Sequence, residues 1–498
     1  YYIDTKYVCL YNCDCYCIIL RTYGGKMELK NQKGQWGSKF GFLMAAVGSA
    51  VGLGNLWGFP YKMGMSGGFA FFIIYIILVI VVGVVILLCE LSLGRRTGKG
   101  VIASYRELGR SHAVIGWLSW LSPCLILGFY SMLGGYCIKY VVANIGDIFG
   151  TSWGVGVTDS GEYFTAFYTD QMQSAIYTLL FIFLTTLVVS IGVSKGIEKF
   201  STIAMPALFF MLVIVIIRSC TLPGASEGLA FIFKPDFSVF RGWGWIKVLA
   251  KAGGQMFFSL SLGMAIMVTY GSYMRKEDDL QLNAVTIPIA DTIIAVMAGM
   301  AIMPAVFAED LNPAGGPGLL FVTLQTVFQE MGKAGPIFGC LFYGLVFIAA
   351  ITSSISLTEA VSSAIMDRSI ARGKPVNRRK ITWGVGIFVM LEGTLVALDG
   401  LGSHGFPHIF GQSTLLDAFD LVSEGLFMPI SALATAVIFG WLKPGWLDGE
   451  IRNLGSDGKA AFGMRKYFYF CLKFIVPPMM ILVLLGQIDS FFGLGWFS

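Results

Sequence analysis

The sequence predicts an all-α polytopic membrane protein with eleven transmembrane helices, and three observations carry that prediction. Of its 498 residues, 56% are hydrophobic and only 13% are charged, with a mean hydropathy of +0.72. A soluble chain carries about twice that charge fraction, and no ordinary core hides this much apolar surface, so the surrounding solvent is lipid. Apolar runs fall at 40–60, 68–93, 114–146, 172–192, 200–219, 251–274, 284–307, 335–366, 381–399, 415–441 and 468–495. Each reaches the roughly 20 residues that cross the hydrocarbon, and the longer ones imply tilt or extension beyond it.

The loops set the orientation. Positive charge collects before the first segment (Lys26, Lys30, Lys33, Lys39) and after the second (Arg95, Arg96, Lys99, Arg106, Arg110). It returns after the fourth (Lys195, Lys199), the sixth (Arg275, Lys276), the eighth (Arg368, Arg372, Lys374, Arg378, Arg379, Lys380) and the tenth (Lys443, Arg452, Lys459, Arg465, Lys466). Intervening loops are acidic or neutral, with Asp147, Asp159, Glu162 and Asp170 after the third and Glu309 and Asp310 after the seventh. Lys and Arg mark cytoplasmic loops, so the N-terminus is expected inside and the C-terminus outside a cell membrane.

Several function classes fall away. The net charge of +5 is not clustered as a nucleic-acid patch would be. No P-loop, H-E-x-x-H or G-x-S-x-G is present, and no enzyme activity is expected. His112, His404 and His408 sit at membrane edges or loops, where polar surface is the ordinary role. Cys89, Cys124, Cys137, Cys220, Cys340 and Cys471 lie in or beside apolar runs without metal-ligand spacing and read as small apolar side chains. Cys9, Cys13, Cys15 and Cys17 belong to a segment, 1–26, whose composition differs from the rest. That segment reads as upstream sequence ahead of a start at Met27, leaving 27–38 as a cytoplasmic lead-in.

Two membrane segments are loaded with residues that interrupt helices. The first contains "AAVGSAVGLGNLWGFP", residues 45–60, with Gly48, Gly52, Gly54, Gly58, Asn55 and Pro60. "GLGNLWG" has the wrong spacing for a dinucleotide loop and no βαβ unit around it. A small-residue packing face accounts for the glycines but not for Asn55 or Pro60. A discontinuous helix accounts for both: backbone leaves its helix at membrane depth only where it lines a cavity or is buried in protein, and freed carbonyls can hold a cation. The sixth segment, "AGGQMFFSLSLGMAIMVTYGSYMRK" at 252–276, repeats the pattern with Gln255, Ser259, Ser261 and Gly263. The pair implies two five-helix inverted repeats, 39–219 and 250–441, forming a core over 39–441, with 442–498 supplying a cytoplasmic loop and the eleventh helix. The eighth segment adds Thr352, Ser353, Ser354 and Ser356 in "FIAAITSSISLTEA". Hydroxyls can bond back to their own helix, but four in five residues exceed that need, and oxygen ligands suit a hard cation such as Na⁺.

These motifs resemble the neurotransmitter:sodium symporter family, to which the leucine transporter with its broken helices belongs. "GSAVGLGNLWGFPY", "SGGFAF", "CELSLGRR", "SKGIEKFSTIAMPALF", "GQMFFSLSLG" and "AAITSSIS" carry the resemblance from about Trp36 to the end, and eleven helices match bacterial members. The resemblance implies two sodium sites. The first would use the Ala50 carbonyl, Asn55, Ser259 and Asp291; the second would use the carbonyls of Gly48, Val51 and Ala349 with Thr352 and Ser353. It also implies a substrate pocket of Ser49, Gly52, Leu53, Gly54, Ile126, Tyr130, Phe258, Ser259, Ser261, Met264, Ser353 and Leu357. Monoamine members carry an acid where Gly52 stands, so the ligand here is expected to bring its own carboxylate, as an α-amino acid does. The apolar walls point to an apolar or aromatic side chain. Asp291 would replace the anion that chloride-dependent relatives need, making chloride unnecessary.

One departure concerns the outer gate. Members usually carry a base where Gly58 stands, facing the acid matching Asp420. Lys62, one turn on, is expected to take that role. The inner gate would use Lys33, Trp36, Tyr273 and Asp367. The function implied is sodium-coupled import of a small amino acid by alternating access, with the lipid bilayer as surroundings and no nucleic acid or obligate protein partner. A proton-coupled permease of the same fold is the alternative, though it would replace the Thr352/Ser353 site with a base. A channel is the more distant one, since no filter motif repeats.

Overall fold

The computed structural model describes residues 7–12, 16–23, 26–28, 34–308, 316–454 and 460–497. Among them, nine helices are long and apolar enough to cross a membrane: Phe69–Thr97, Ala113–Ile148, Gln171–Ile191, Val193–Cys220, Leu280–Ala308, Gly332–Ala371, Arg378–Asp399, Leu415–Leu442 and Arg465–Phe492. They are the second to fifth and the seventh to eleventh segments expected from the sequence. The two remaining segments, the first and the sixth, are broken.

The first segment runs as Lys39–Ala50 and Gly54–Gly64, bent by 44°. Ser38 caps its start, its hydroxyl accepting from Gly41 N. The ladder stops at Ala50 because Val51 turns to an extended conformation. It resumes through a wide π turn at Gly54–Gly58. Pro60 follows directly in Phe59–Gly64, where the wide turn has already set the bond ladder out of its regular register.

The sixth segment consists of Trp245–Ser259 and Ile266–Ser272. Between them Ser261, Gly263 and Ala265 all take left-handed backbone, with φ of 55°, 71° and 67°. Two of these are not glycine, and such conformations persist only where surroundings over-determine them. Here they do. Gly263 N donates to Glu90 Oε1 of the second segment at 2.8 Å, and Ser261 Oγ donates to the Ser49 carbonyl at 3.1 Å.

Length beyond the hydrocarbon is visible in the third segment. Its 36 residues span about 54 Å at helical rise. Short helices at Val101–Leu108, Ser160–Thr169, Ala225–Phe233 and Leu324–Glu330 lie in the connections, where the apolar pattern had indicated none. The strands Tyr7–Asn12, Tyr16–Tyr23 and Lys26–Glu28 pair antiparallel in that order, and Asn453–Leu454 pairs with Ala460–Ala461. The six cysteines of the membrane body are free thiols.

Candidate functional site

The two breaks face each other, and the seventh segment closes the gap between them. Asn55 Nδ2 donates to Asp291 Oδ1 at 2.7 Å and to the Asp291 carbonyl at 3.2 Å. Ser259 Oγ lies 2.9 and 2.8 Å from the two Asp291 carboxylate oxygens. Tyr75 of the second segment donates to Oδ2 at 3.1 Å. All four side chains are fully buried. A carboxylate at membrane depth is costly without a compensating cation, and the side chains bonded to this one are neutral. Ala50 ends its half-helix, where carbonyls lose their intrahelical partners. Asn55, Ser259 and Asp291 are thus brought together; Tyr75 was not anticipated, because a tyrosine in an apolar helix looks like core.

A second cluster joins the first and eighth segments. Ser353 Oγ lies 3.3 Å from the Gly48 carbonyl, 3.1 Å from that of Ser49 and 3.5 Å from that of Val51. Thr352 Oγ1 is 2.9 Å from the Ala349 carbonyl and 3.0 Å from that of Ile348. The other two hydroxyls of the cluster do something else. Ser356 meets Tyr270 Oη at 2.6 Å, and Ser354 accepts from Thr185 at 3.3 Å, so both tie helices together. Among the described residues no group of His, Cys, Asp or Glu has the arrangement of a conventional metal centre. Both clusters are built instead from carbonyls, hydroxyls, an amide and one carboxylate, the oxygen set a hard monovalent cation takes.

Between the clusters lies a small cavity. Backbone of the first break (Ser49, Ala50, Gly52, Gly54) forms one side, and Ser261, Met264 and Ile266 of the sixth form another. Ile126, Tyr130, Phe258, Ser353 and Leu357 complete it. Ala50 and Ile266 join the expected lining, whereas Leu53 and Ser259 stand behind it. Leu53 contributes its amide, which donates to Tyr130 Oη at 3.1 Å, and the Gly52 amide donates to Asn55 Oδ1 at 3.2 Å. Gly52 is tightly packed: a Cβ there would stand 2.4 Å from Ser353 Oγ and 2.5 Å from Tyr130 Oη, so a larger residue would displace one or both side chains.

Phe258 and Gly54 also border a second, larger cavity, lined by Trp57, Tyr61, Lys62, Asp417, Asp420 and Glu424. Phe258 lines both spaces, and its ring centroid lies 6.2 Å from that of Tyr130, which lines the smaller one. Both residues of the expected outer gate, Lys62 and Asp420, line the larger cavity, and a third residue joins them. Lys62 pairs with Glu424, one turn beyond Asp420. Glu424 sits in the wide turn Leu421–Phe427 of the tenth segment, and its place four residues after Asp420 in "FDLVSEGLF" was the available signal. The missing base at Gly58 has a steric counterpart. Gln255 Nε2 donates to the Gly54 carbonyl at 2.7 Å, and its Oε1 lies 2.9 Å from where a Gly58 Cβ would stand.

The end of the bundle that carries Trp36 is tightly packed. Trp36 is buried, donates to the Tyr270 carbonyl at 3.1 Å and packs edge-on against Tyr270 and Tyr273. Tyr273 Oη donates to Glu359 Oε1 at 2.5 Å, and Glu359 pairs with Arg378. Glu198 receives the amides of Gly37 and Ser38 at 2.6 and 3.0 Å. Asp367 accepts from the Gly100 amide. Lys33 lies outside the described residues. Sequence reasoning missed Glu198, Glu359 and Arg378; charged residues inside or beside apolar spans were the sign. His404 is an ordinary loop contact, 3.0 Å from the Thr169 carbonyl.

The profile described as the sodium:neurotransmitter symporter family matches residues 33–154 and 169–496. The sodium-dependent transporter YhdH of Bacillus subtilis is 35% identical over 457 residues, covering 91% of this chain and 97% of its own length. A sodium-dependent transporter of Haemophilus influenzae is 32% identical over 467 residues, covering 92% and 98%. The crystal structure of MhsT in complex with L-phenylalanine superposes with a TM-score of 0.81 at 35% identity, covering 91% of this chain and 100% of that one.

Proposed function

We propose, from the premise that this chain belongs to the sodium:neurotransmitter symporter family, that it is a symporter coupling the entry of Na⁺ to that of an α-amino acid with an apolar or aromatic side chain. The observation that carries this reading is a shared wall. The same two helix breaks that border the cavity also present Asn55 and Ser259 to Asp291, and Gly48 and Val51 to Ser353. A ligand carboxylate near the Ala50–Gly54 backbone would lie beside the first cation, so each would strengthen the other's binding. Gly52 leaves no acid to pair a ligand amine and no room for one. MhsT in its complex holds L-phenylalanine, and the Ile126, Phe258, Met264 and Leu357 walls here are of the same apolar kind.

The chain is a multi-pass membrane protein; its N-terminus is assigned to the cytoplasm by the Lys and Arg distribution. Two Na⁺ ions bind, one at each cluster, and chloride is not needed. Transport proceeds by alternating access. With the inner side closed by Trp36 and Tyr273, the outer cavity admits ions and substrate, Phe258 and Tyr130 close over them, and the inner half of the sixth segment then yields.

Uptake of a labelled amino-acid panel into proteoliposomes, with an inward Na⁺ gradient against choline, tests the reading. Na⁺-dependent accumulation of a few apolar amino acids is expected. Equal uptake in choline would replace it with the proton-coupled alternative, and substrate-independent current would replace it with a channel.

A further inference from the structure

The inner half of the sixth segment, Ile266–Ser272, is seven residues long and joined to its outer half through left-handed backbone. Its position depends on what holds its far end. On one side Arg275 Nη2 donates to the Trp36 and Gly37 carbonyls at 3.0 and 2.8 Å, fastening the entrance of the first segment. On the other side stands a residue from the connection between the tenth and eleventh segments. Glu450, in the short helix Asp448–Ile451, accepts from Lys276 Nζ at 2.7 and 2.8 Å on its two oxygens. It also accepts from Arg95 Nε at 2.7 Å, and its carbonyl accepts from Arg95 Nη2 at 2.6 Å.

Arg95 in turn donates to the Arg275 carbonyl at 3.4 Å and to the Asp278 carbonyl. One carboxylate therefore bonds both Arg95 and Lys276 at the end of this half-helix. The ion pair is buried rather than superficial: the Arg95 side chain is 2% exposed and that of Glu450 12%, where removing one partner strands a charge. The connection itself is anchored nearby. Arg96 stacks over Trp446 at 3.9 Å, and Gln281 Nε2 donates to the Ala461 carbonyl at 2.9 Å.

We propose that Glu450 is a positioning residue for the inner gate: by gripping Lys276 and Arg95 together it holds the inner half of the sixth segment, and through Arg275 the Trp36 latch, in the closed-inside arrangement. Opening toward the cytoplasm then requires the tenth–eleventh connection to release Lys276. Without the carboxylate the population shifts toward inward-open molecules, and a ligand that binds the outward form has its apparent affinity reduced by the fraction lost. The inference rests on the alternating-access reading.

The test is hydrogen exchange of the full chain in lipid nanodiscs with Na⁺, alongside uptake. Glu450→Gln should raise exchange at least threefold in 34–42 and 266–276 while leaving 245–259 unchanged, and should raise half-saturating external Na⁺ several-fold. Glu450→Asp should restore part of both. Lys276→Gln alters an exposed side chain and should move both readouts the same way by less; it decides the matter if Glu450→Gln does not fold. A rise confined to 443–454, or Na⁺ half-saturation that does not move, would overturn the role. Wild-type uptake judges alternating access separately: Na⁺-dependent uptake with an unmoved gate removes Glu450 alone.

Discussion

Asn55 donates its side-chain amide to Asp291 at 2.7 Å, joining the break of the first segment to the seventh across 236 residues of sequence. The bond gives a direct prediction. Asp291→Asn keeps the shape and an acceptor oxygen but removes the charge. Hydrogen bonds to a charged group contribute ~1.5–3 kcal/mol, so half-saturating Na⁺ should rise at least ~10-fold. A Na⁺ titration of uptake measures it, and an unchanged curve would remove Asp291 from the cation site.

A buried carboxylate already supplies negative charge beside the first candidate cation. Replacing chloride by gluconate on both sides of the membrane should therefore leave uptake unchanged. A clear loss would show that Asp291 does not stand in for an anion.

Ser353 spans three carbonyls of the first break. Ser353→Ala removes that oxygen at little cost in volume. The Na⁺ dependence of uptake should fall from a two-ion to a one-ion slope, with the protein still monodisperse. A retained two-ion slope would move the second site elsewhere.

Gly52→Ala should reduce uptake by ~100-fold or more, because its Cβ would meet Ser353 Oγ at 2.4 Å and Tyr130 Oη at 2.5 Å, and such overpacking costs ~1–3 kcal/mol before any loss of ligand space. Substrate binding followed by scintillation proximity separates lost affinity from lost protein. Normal affinity would place the ligand away from the first break.

Lys62→Ala should weaken retention of bound substrate toward the outside, and Glu424→Gln should match it, because the two are partners. Asp420→Asn should do less. Dissociation of pre-bound substrate measures the gate, and unchanged dissociation in Lys62→Ala would mean that the gate works without this pair.

Much of the architecture was legible from residue type and order. Lipid exposure follows from composition, and each span follows from about twenty adjacent residues, so the segments could be placed from local information. The breaks were legible for the same reason: Gly52, Pro60 and Gly263 act on their own backbone. Even there, Ser261 in a left-handed conformation gave no sign, because its strain is offset by a contact from another helix, the Ser49 carbonyl.

Partnership is another matter. Tyr75 and Asp291 stand 216 residues apart, Lys62 and Glu424 362, and Arg95 and Glu450 355. Composition and period say that such residues are unusual in a membrane; they do not say which ones meet. Lys62 shows the consequence, since only Asp420 was expected beside it and a wide turn in the tenth segment brings Glu424 there as well. A charge finds its partner through the distance between helices, and that distance is set by how the whole bundle packs.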